Sequence, residues 1–344
     1  MADNDLNIVE SAALSNNQRD LQEYAFLSQV ADMYYNQNMM QADIARRLYF
    51  SRSKVSRLLT RAREIGIVDI EVKHVRDRVA AIEEVFCRNF GLKDAVIITN
   101  FEDDTYDQTL NAVTDFASIY ISNLLKGKMR IGLGSGNASD RTSRKIRPIH
   151  NCQLDVVQLI GTVSNAQQAI ESREIINSLA TTFHGTGYYL NTPVYMDNAF
   201  ARSMLLQDPN VKRVIEMMDE CDLLLTGLGG IDVSRLKTAE MIREYQTEAQ
   251  AKELQEKGAV GCVCMLYYDI NGNYVPCEWN EKCISMPMDK VKQNPMTVAV
   301  AVGDYKVSSI LGALRGRIPN VLITDVTTAA KVLMKNEELN KEVQ

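Results

Sequence analysis

Long apolar runs are missing from this sequence of 344 residues. No stretch reaches the roughly 18 consecutive apolar residues that a membrane-spanning helix needs, so we expect no membrane partner. The first residues, MADNDLNIVESAALSNNQRD, contain neither the basic nor the apolar region of a signal or transit peptide. These absences indicate a cytoplasmic protein, and we expect residues 1–20 to be disordered.

Signatures of metal sites and disulfides are also missing. The seven cysteines are odd in number and widely spread, which does not resemble a disulfide framework. Four of them are close in sequence but lack paired C-x2-C spacing and a nearby histidine: Cys262, Cys264, Cys277 and Cys283. Buried thiols on strands explain them better than zinc does, so we predict no metal and no cofactor.

Catalytic motifs are missing as well. The three histidines, His74, His150 and His184, are scattered, and each is better explained as structural. Neither G-x-S-x-G nor H-E-x-x-H occurs, and the carboxylates are too numerous to single out an acid–base pair. We therefore predict no catalytic residues.

Positive charge is scarce overall but concentrated near one end. The net charge is −6, whereas the segment from Gln41 to Arg78 has ten basic and five acidic residues. A basic module on an acidic body fits DNA binding at one end, although a solvated charged helix face would give the same pattern.

The segment from Gln41 to Glu64 predicts a helix-turn-helix. Ile44, Ala45 and Leu48 have helical spacing, and a second apolar stripe follows, with Ser51 or Ser53 available to cap its first turn. The second helix then presents polar and basic residues to a major groove. The predicted DNA-binding residues are Gln41, Arg52, Ser53, Lys54, Ser56, Arg57 and Arg61.

Flanking patterns extend this segment to a winged helix-turn-helix domain over residues 21–72. Leu21 to Tyr35 has helical spacing, Gly66 ends the second helix, and Ile67 to Val72 alternates like a short wing strand. Residues 73–92 are predicted to form a linker helix.

From Ala95 onward, short apolar strands alternate with amphipathic segments, which predicts an α/β domain with a mainly parallel sheet over residues 93–344. The strands include one over Val263 to Tyr268, and the helices include one over Thr238 to Lys257.

Two glycine loops follow predicted strands in this domain. In Arg130-Ile131-Gly132-Leu133-Gly134-Ser135-Gly136-Asn137, backbone N–H groups and the side chains of Ser135, Asn137 and Ser139 could bind a phosphate or sugar. The G-x-G-x-x-G spacing fails and no P-loop lysine is present, and glycine is also common in any strand-to-helix turn. The loop from Thr226 to Gly230 could form another wall, and Lys306 could meet a phosphate, although a lone lysine is more often solvated.

Together these segments resemble the SorC family of bacterial sugar-responsive transcriptional regulators, from about Val30 to Leu333. Besides the DNA-binding segment, the similar stretches are FGLKDAVII, IGLGSGN, QLIGTV, DLLLTGLGG, GAVG, YYDINGN, GDYKVSSILGALRG and NVLITDVTTAAKVL. The resemblance implies a Rossmann-like, doubly wound effector domain similar to sugar-phosphate isomerases. It also implies double-stranded operator DNA and a sugar or sugar-phosphate effector as partners, and a homo-oligomer, dimer or tetramer.

Position by position, the resemblance implies that the phosphate- and sugar-contacting loop falls on Gly134, Ser135, Gly136 and Asn137, and that the ligand-contacting lysine is Lys306. The other predicted effector-binding residues are Gly161, Thr162, Gly227, Gly229 and Cys262. Cys262 departs from the family, which usually has an acidic residue there, and a thiol is a poor hydrogen-bond acceptor. Either another acid such as Asp325 or Glu278 substitutes, or the ligand presents fewer hydroxyls.

Two other functions remain open on the sequence. A sugar-phosphate isomerase or deaminase with a DNA-binding appendage would share the fold but would need an acid–base pair near the first glycine loop. A DNA-binding scaffold without ligand would leave both glycine loops unexplained. We therefore expect a DNA-binding regulator whose operator affinity is changed by a sugar, polyol or sugar phosphate.

Overall fold

The chain divides into two units, Met1–Val75 and Arg76–Gln344. The computed structural model describes residues 22–37, 39–68, 76–163, 166–231 and 247–342. The predicted disordered segment 1–20, the wing beyond residue 68 and His74 lie outside the described residues.

Three helices form the described part of the first unit: α1 (residues 22–35), α2 (Gln41–Leu48) and α3 (Arg52–Glu64). Their apolar faces share a core that includes Val30, Ile44 and Val55. Ser51 caps α3, because its hydroxyl accepts from the Lys54 N–H at 3.2 Å. The predicted pair of short helices is thus confirmed, and the capping residue is Ser51.

The helix predicted as a linker, α4 (Ala80–Phe90), packs within the second unit beside strand β1 (Asp94–Ile98). Phe86 and Phe90 are buried in the core of that unit, and Arg78 bridges to Ile98. This placement differs from a free linker because the apolar face of α4 is buried against the sheet.

A seven-stranded parallel sheet organises the second unit, as predicted. Besides β1, its strands are β2 (Gly127–Leu133), β3 (Cys152–Gln158), β4 (Gly187–Tyr188), β5 (Leu223–Gly227), β9 (Thr297–Val300) and β10 (Val321–Asp325). They lie in the order β1-β10-β9-β5-β2-β3-β4.

Helices cover both faces of the sheet, because neighbouring residues of a strand point to opposite sides. Ala95 and Ile97 belong to one core cluster, Val96 and Ile98 to the other. The helices are α5 (Tyr106–Leu124), α6 (Asn137–Lys145), α7 (Ala166–Thr182), α8 (Ala199–Gln207), α9 (Pro209–Asp219), α10 (Glu248–Glu256), α11 (Glu278–Lys282), α12 (Met288–Gln293), α13 (Val307–Arg315) and α14 (Val326–Glu342). Within the described ranges, none of the helices combines the length and apolarity needed to cross a membrane.

A second, three-stranded antiparallel sheet consists of β6 (Gly229–Gly230), β7 (Ala259–Val263) and β8 (Leu266–Asp269). The prediction of one strand over Val263 to Tyr268 was wrong. The chain reverses at Cys264 and Met265, whose φ angles are 46° and 66°. This turn uses two residues without the usual glycine or asparagine signal, so the apolar run gave no sign of it.

Candidate functional site

The candidate site lies along one edge of the parallel sheet. Parallel strands have their carboxyl ends at the same edge, where ligands of open α/β sheets bind, and β3, β2, β5 and β9 are neighbours in that order. Nine of the ten predicted effector-binding residues end or follow these strands: Gly134, Ser135, Gly136, Asn137, Gly161, Thr162, Gly227, Gly229 and Lys306. The tenth, Cys262, pairs with Gly229 in the small sheet.

The glycine loop after β2 is held tightly against β5. The Gly134 N–H donates to the Leu225 carbonyl at 2.9 Å, and a Cβ at Gly134 would lie 2.9 Å from the Thr226 hydroxyl oxygen. Gly136 has a φ of +147°, which favours glycine. Because α6 begins at Asn137, its first N–H groups lack partners within the helix and are available to an acceptor.

One hydroxyl that was expected to donate to a ligand makes a hydrogen bond within the protein instead. Ser139 is fully buried, and its hydroxyl donates to the Gly136 carbonyl at 2.9 Å. The expectation that Ser139 binds a ligand was therefore wrong, since this hydroxyl fixes the loop instead. Asn137 remains exposed, and its side-chain oxygen accepts from the Arg141 Nε at 2.7 Å.

A cleft of about 440 Å³, including its open mouth, adjoins this loop on the side of α7. Its polar lining is Gly134, Ser135, Asp140, Gln158, Gly161, Thr162 and Ser172, and its apolar lining is Leu133, Ile160, Val163, Ala169, Ile175 and Ile176. Gly161 is required by packing, because a Cβ there would lie 2.5 Å from the Pro193 carbonyl oxygen. The cleft thus brings together four predicted residues, Gly134 and Ser135 after β2 and Gly161 and Thr162 after β3. The other six are not among its lining residues: Gly136, Asn137, Gly227, Gly229, Cys262 and Lys306.

Asp140 and Gln158 are lining residues that the sequence did not single out. Asp140 lies in the first turn of α6, and burial raises the pKa of its carboxyl to about 7. The Gly136 N–H, the Arg144 guanidinium and the Ser139 hydroxyl counteract that rise, whereas Glu171 on α7 adds to it. A strongly perturbed carboxyl in a cleft is a candidate functional group; the only signal in the sequence was an acid soon after the glycine loop.

Asp140→Asn is expected to stabilise the protein at alkaline pH. A raised folded-state pKa means that Asp140 contributes stability below its unfolded pKa of 3.8, and that this contribution is lost as pH rises through about 7. The substitution should therefore increase the free energy of unfolding by roughly 1–3 kcal/mol at pH 8 and by little at pH 4. Urea unfolding at both pH values measures this, and an equal effect at both would contradict it.

Lys306 is a buried cation at the other end of the site. It lies in a 3-10 turn after β9 and is 8% exposed. Burial lowers the pKa of its ammonium group to about 8, while Cys262 acts in the opposite direction. No hydrogen bond or ion pair joins its Nζ to any other described residue, and the Tyr305 ring centroid lies 5.6 Å away. Such a group is suited to an incoming acceptor or anion.

Cys262 supplies no charge to this end of the site. It is 5% exposed, and burial raises the pKa of its thiol to about 12. The two acids considered as substitutes already have partners. Asp325 accepts from the Thr328 N–H at 3.0 Å and from its hydroxyl at 2.5 Å, and Glu278 is paired with Lys282 at 2.5 Å. Among the described residues that line the cleft, the acid is Asp140.

A polar face of α3 forms the second candidate site, in the first unit. Val55, Leu59 and Ala62 are buried, so the opposite side of the helix points outward. The predicted residues on it are all exposed: Arg52, Ser53, Lys54, Ser56, Arg57 and Arg61. Gln41 begins α2 and is half-buried. The Lys54 Nζ lies 3.8 Å from the centroid of the Phe50 ring, and Arg61 contacts Glu64 at 3.4 Å.

Comparison with known families matches residues 76–334 to the sugar-binding domain family. This range corresponds closely to the second unit, which begins at Arg76.

Known proteins match along nearly the whole chain. The sorbitol operon regulator of Klebsiella pneumoniae is 30% identical over 309 residues, which are 88% of this chain and 96% of that protein. The deoxyribonucleoside regulator of Bacillus subtilis is 30% identical over 301 residues, 88% of this chain and 95% of that protein. The crystal structure of the full-length Klebsiella sorbitol operon regulator SorC gives a TM-score of 0.68 at 29% identity, covering 90% of this chain and 98% of that one.

Proposed function

The chain belongs to the SorC family of sugar-responsive transcriptional regulators, and we propose that its effector binds along the sheet edge between the cleft at Gly134 and Lys306. Its relatives are regulators rather than enzymes, and so is this protein. The names of those relatives refer to sorbitol and to deoxyribonucleosides, so polyols, sugars and their phosphates are the compounds to test.

One observation supports this placement more than any other. Eight predicted residues from distant parts of the sequence lie at the same sheet edge as Lys306, a buried ammonium group without a hydrogen bond or ion pair to another described residue. Buried cations without a partner are costly to the folded state. A ligand that accepts from Lys306 would remove that cost, which gives binding a physical reason at this position.

DNA binding is the proposed output. The face of α3 would place Arg52, Ser53, Ser56 and Arg57 in a major groove, with Lys54 and Arg61 near phosphates and Gln41 at the backbone. The effector can change operator affinity only if it binds two arrangements of the protein with different affinities. The coupling free energy between effector and DNA is then expected to be about 1–3 kcal/mol. A homo-oligomer, dimer or tetramer, in the cytoplasm would supply paired DNA-binding helices for two half-sites.

Arg57→Ala is expected to weaken operator binding without changing effector affinity. A side chain that contacts base edges contributes roughly 1–3 kcal/mol, which corresponds to a loss of about 5- to 150-fold. Fluorescence anisotropy with an operator fragment, selected from the DNA upstream of the gene or from a random library, gives the DNA affinity.

Arg213→Ala on α9 is the matched control, since it removes one exposed positive charge from the second unit. Unchanged operator binding by Arg57→Ala would show that the proposed face of α3 is not the docking surface.

Effector binding is tested by thermal unfolding and by release of operator DNA, using a panel of polyols, sugars and sugar phosphates. A true effector raises the melting temperature and also shifts DNA affinity. A panel in which no compound changes either quantity would contradict the proposed function, and turnover of a sugar phosphate would point to an enzyme instead.

A further inference from the structure

Asp140 occupies an unusual place for an acid in a site for sugar phosphates. It lies in the first turn of α6, directly after the glycine loop, and lines the cleft together with Gly134 and Ser135. The Gly136 N–H is a hydrogen-bond donor to its carboxylate and counteracts the rise in its pKa. The protein's own carboxylate therefore uses a loop N–H that an anionic ligand would otherwise use.

A phosphate at the loop would be brought close to this carboxylate. Two like charges at short distance in a partly buried cleft repel each other strongly, because little water separates them. Arg144 acts on Asp140 from the same helix, whereas Glu171 on α7 adds further negative potential. Arg141, the cation at Asn137, is already paired with Asp107 at 2.7 Å. The loop thus lacks the excess of positive charge that would favour a phosphate.

The rest of the cleft suits hydroxyl groups. The Gln158 side-chain oxygen accepts from the Leu190 N–H at 3.2 Å, while no described residue accepts from its NH2 group. Ser135 and Thr162 add hydroxyls, and Ile160 and Ile176 add apolar surface. A carboxylate acceptor beside an amide donor matches sugar hydroxyls, each of which donates and accepts a hydrogen bond.

We infer that Asp140 excludes phosphate from the glycine loop, so that the loop takes an uncharged, hydroxyl-bearing part of the effector and any acidic group of the effector lies at Lys306. The inference rests on the proposed function and makes it more specific. It also assigns to the loop after β2 the acceptor that Cys262 does not supply. The two ends lie at the same edge of the sheet, with one strand, β5, between β2 and β9.

Binding of inorganic phosphate to the full chain, measured by isothermal titration and by 31P NMR at pH 8, tests the inference without DNA or a known effector. Asp140→Asn should bind phosphate at least about tenfold more tightly than the wild-type protein, because a like charge has been removed. The charge-conserving Asp140→Glu should show no gain. Asp289→Asn is the matched control, since Asp289 is an exposed acid in the first turn of α12, before β9 and so away from the carboxyl ends.

Repeating the measurement in a Lys306→Gln protein distinguishes phosphate bound at the glycine loop from phosphate bound at Lys306. The gain from Asp140→Asn should persist in a Lys306→Gln protein, because it arises at the glycine loop. No gain in Asp140→Asn, or a gain that disappears with Lys306→Gln, would overturn the inference. Either result would leave the proposed function standing, because that function is tested separately by effector-dependent release of DNA.

Discussion

Replacing Lys306 by methionine is expected to abolish the effect of the sugar effector on DNA binding while raising the stability of the protein. Removing a buried charged partner of a ligand typically costs 2–5 kcal/mol of binding energy, or about 30-fold or more in affinity. Operator binding without effector should stay unchanged, because Lys306 lies in the second unit and the proposed DNA-binding face in the first.

The stability gain follows from the lowered pKa of Lys306. A folded-state pKa of about 8, below the ordinary 10.5, means that stability present above pH 10.5 is lost as pH falls through about 8. Lys306→Met removes that loss, so the free energy of unfolding should rise by roughly 1–3 kcal/mol at pH 7 and by little above pH 10.5.

Lys331→Met is the matched control for both measurements. Lys331 lies on α14, and its side chain is 43% exposed. It pairs at 2.5 Å with Asp304, which lies in the same turn as Lys306. Exposed pairs of this kind contribute about 0–1 kcal/mol. A Lys306→Met protein that still releases DNA on effector binding, or that is less stable than the wild type at pH 7, would show that Lys306 is structural.

Asp104→Ala is expected to destabilise the second unit by about 3–5 kcal/mol. Arg76, its first residue, donates to both carboxylate oxygens of Asp104 at 2.6 and 2.9 Å, and both side chains are only 8% exposed. Removing one partner of a buried pair leaves an uncompensated charge, which is more costly than removing both. Urea unfolding of the full chain measures the change.

Two variants give this prediction its controls. Glu220→Ala breaks the Arg130 pair, in which the acid is 67% exposed, and should cost less than about 1 kcal/mol. Arg76→Met combined with Asp104→Leu should recover much of the stability lost in Asp104→Ala. A cost below 1 kcal/mol for Asp104→Ala would mean that solvent reaches Arg76 freely.

Local patterns in the sequence were enough to predict several elements. Ile44 and Leu48 have helical spacing, and so do Val55 and Leu59, so α2 and α3 follow from amphipathic periodicity alone. The strand and the glycine loop around Gly134 were likewise visible, since short-range turn chemistry determines them. The hairpin at Cys264 and Met265 was missed, because neither residue favours the positive φ that packing imposes there.

By itself, then, the sequence determined a helix-turn-helix segment, a parallel α/β domain and glycine loops at strand ends, because periodicity and turn residues act between near neighbours. Only the tertiary structure decided that Lys306 is buried without a hydrogen bond or ion pair to another described residue, that the Ser139 hydroxyl donates to the Gly136 carbonyl, and that Asp140 lines the cleft. Burial and charge at these side chains depend on elements far away in the chain, such as α7 beside Asp140, and no local pattern encodes them.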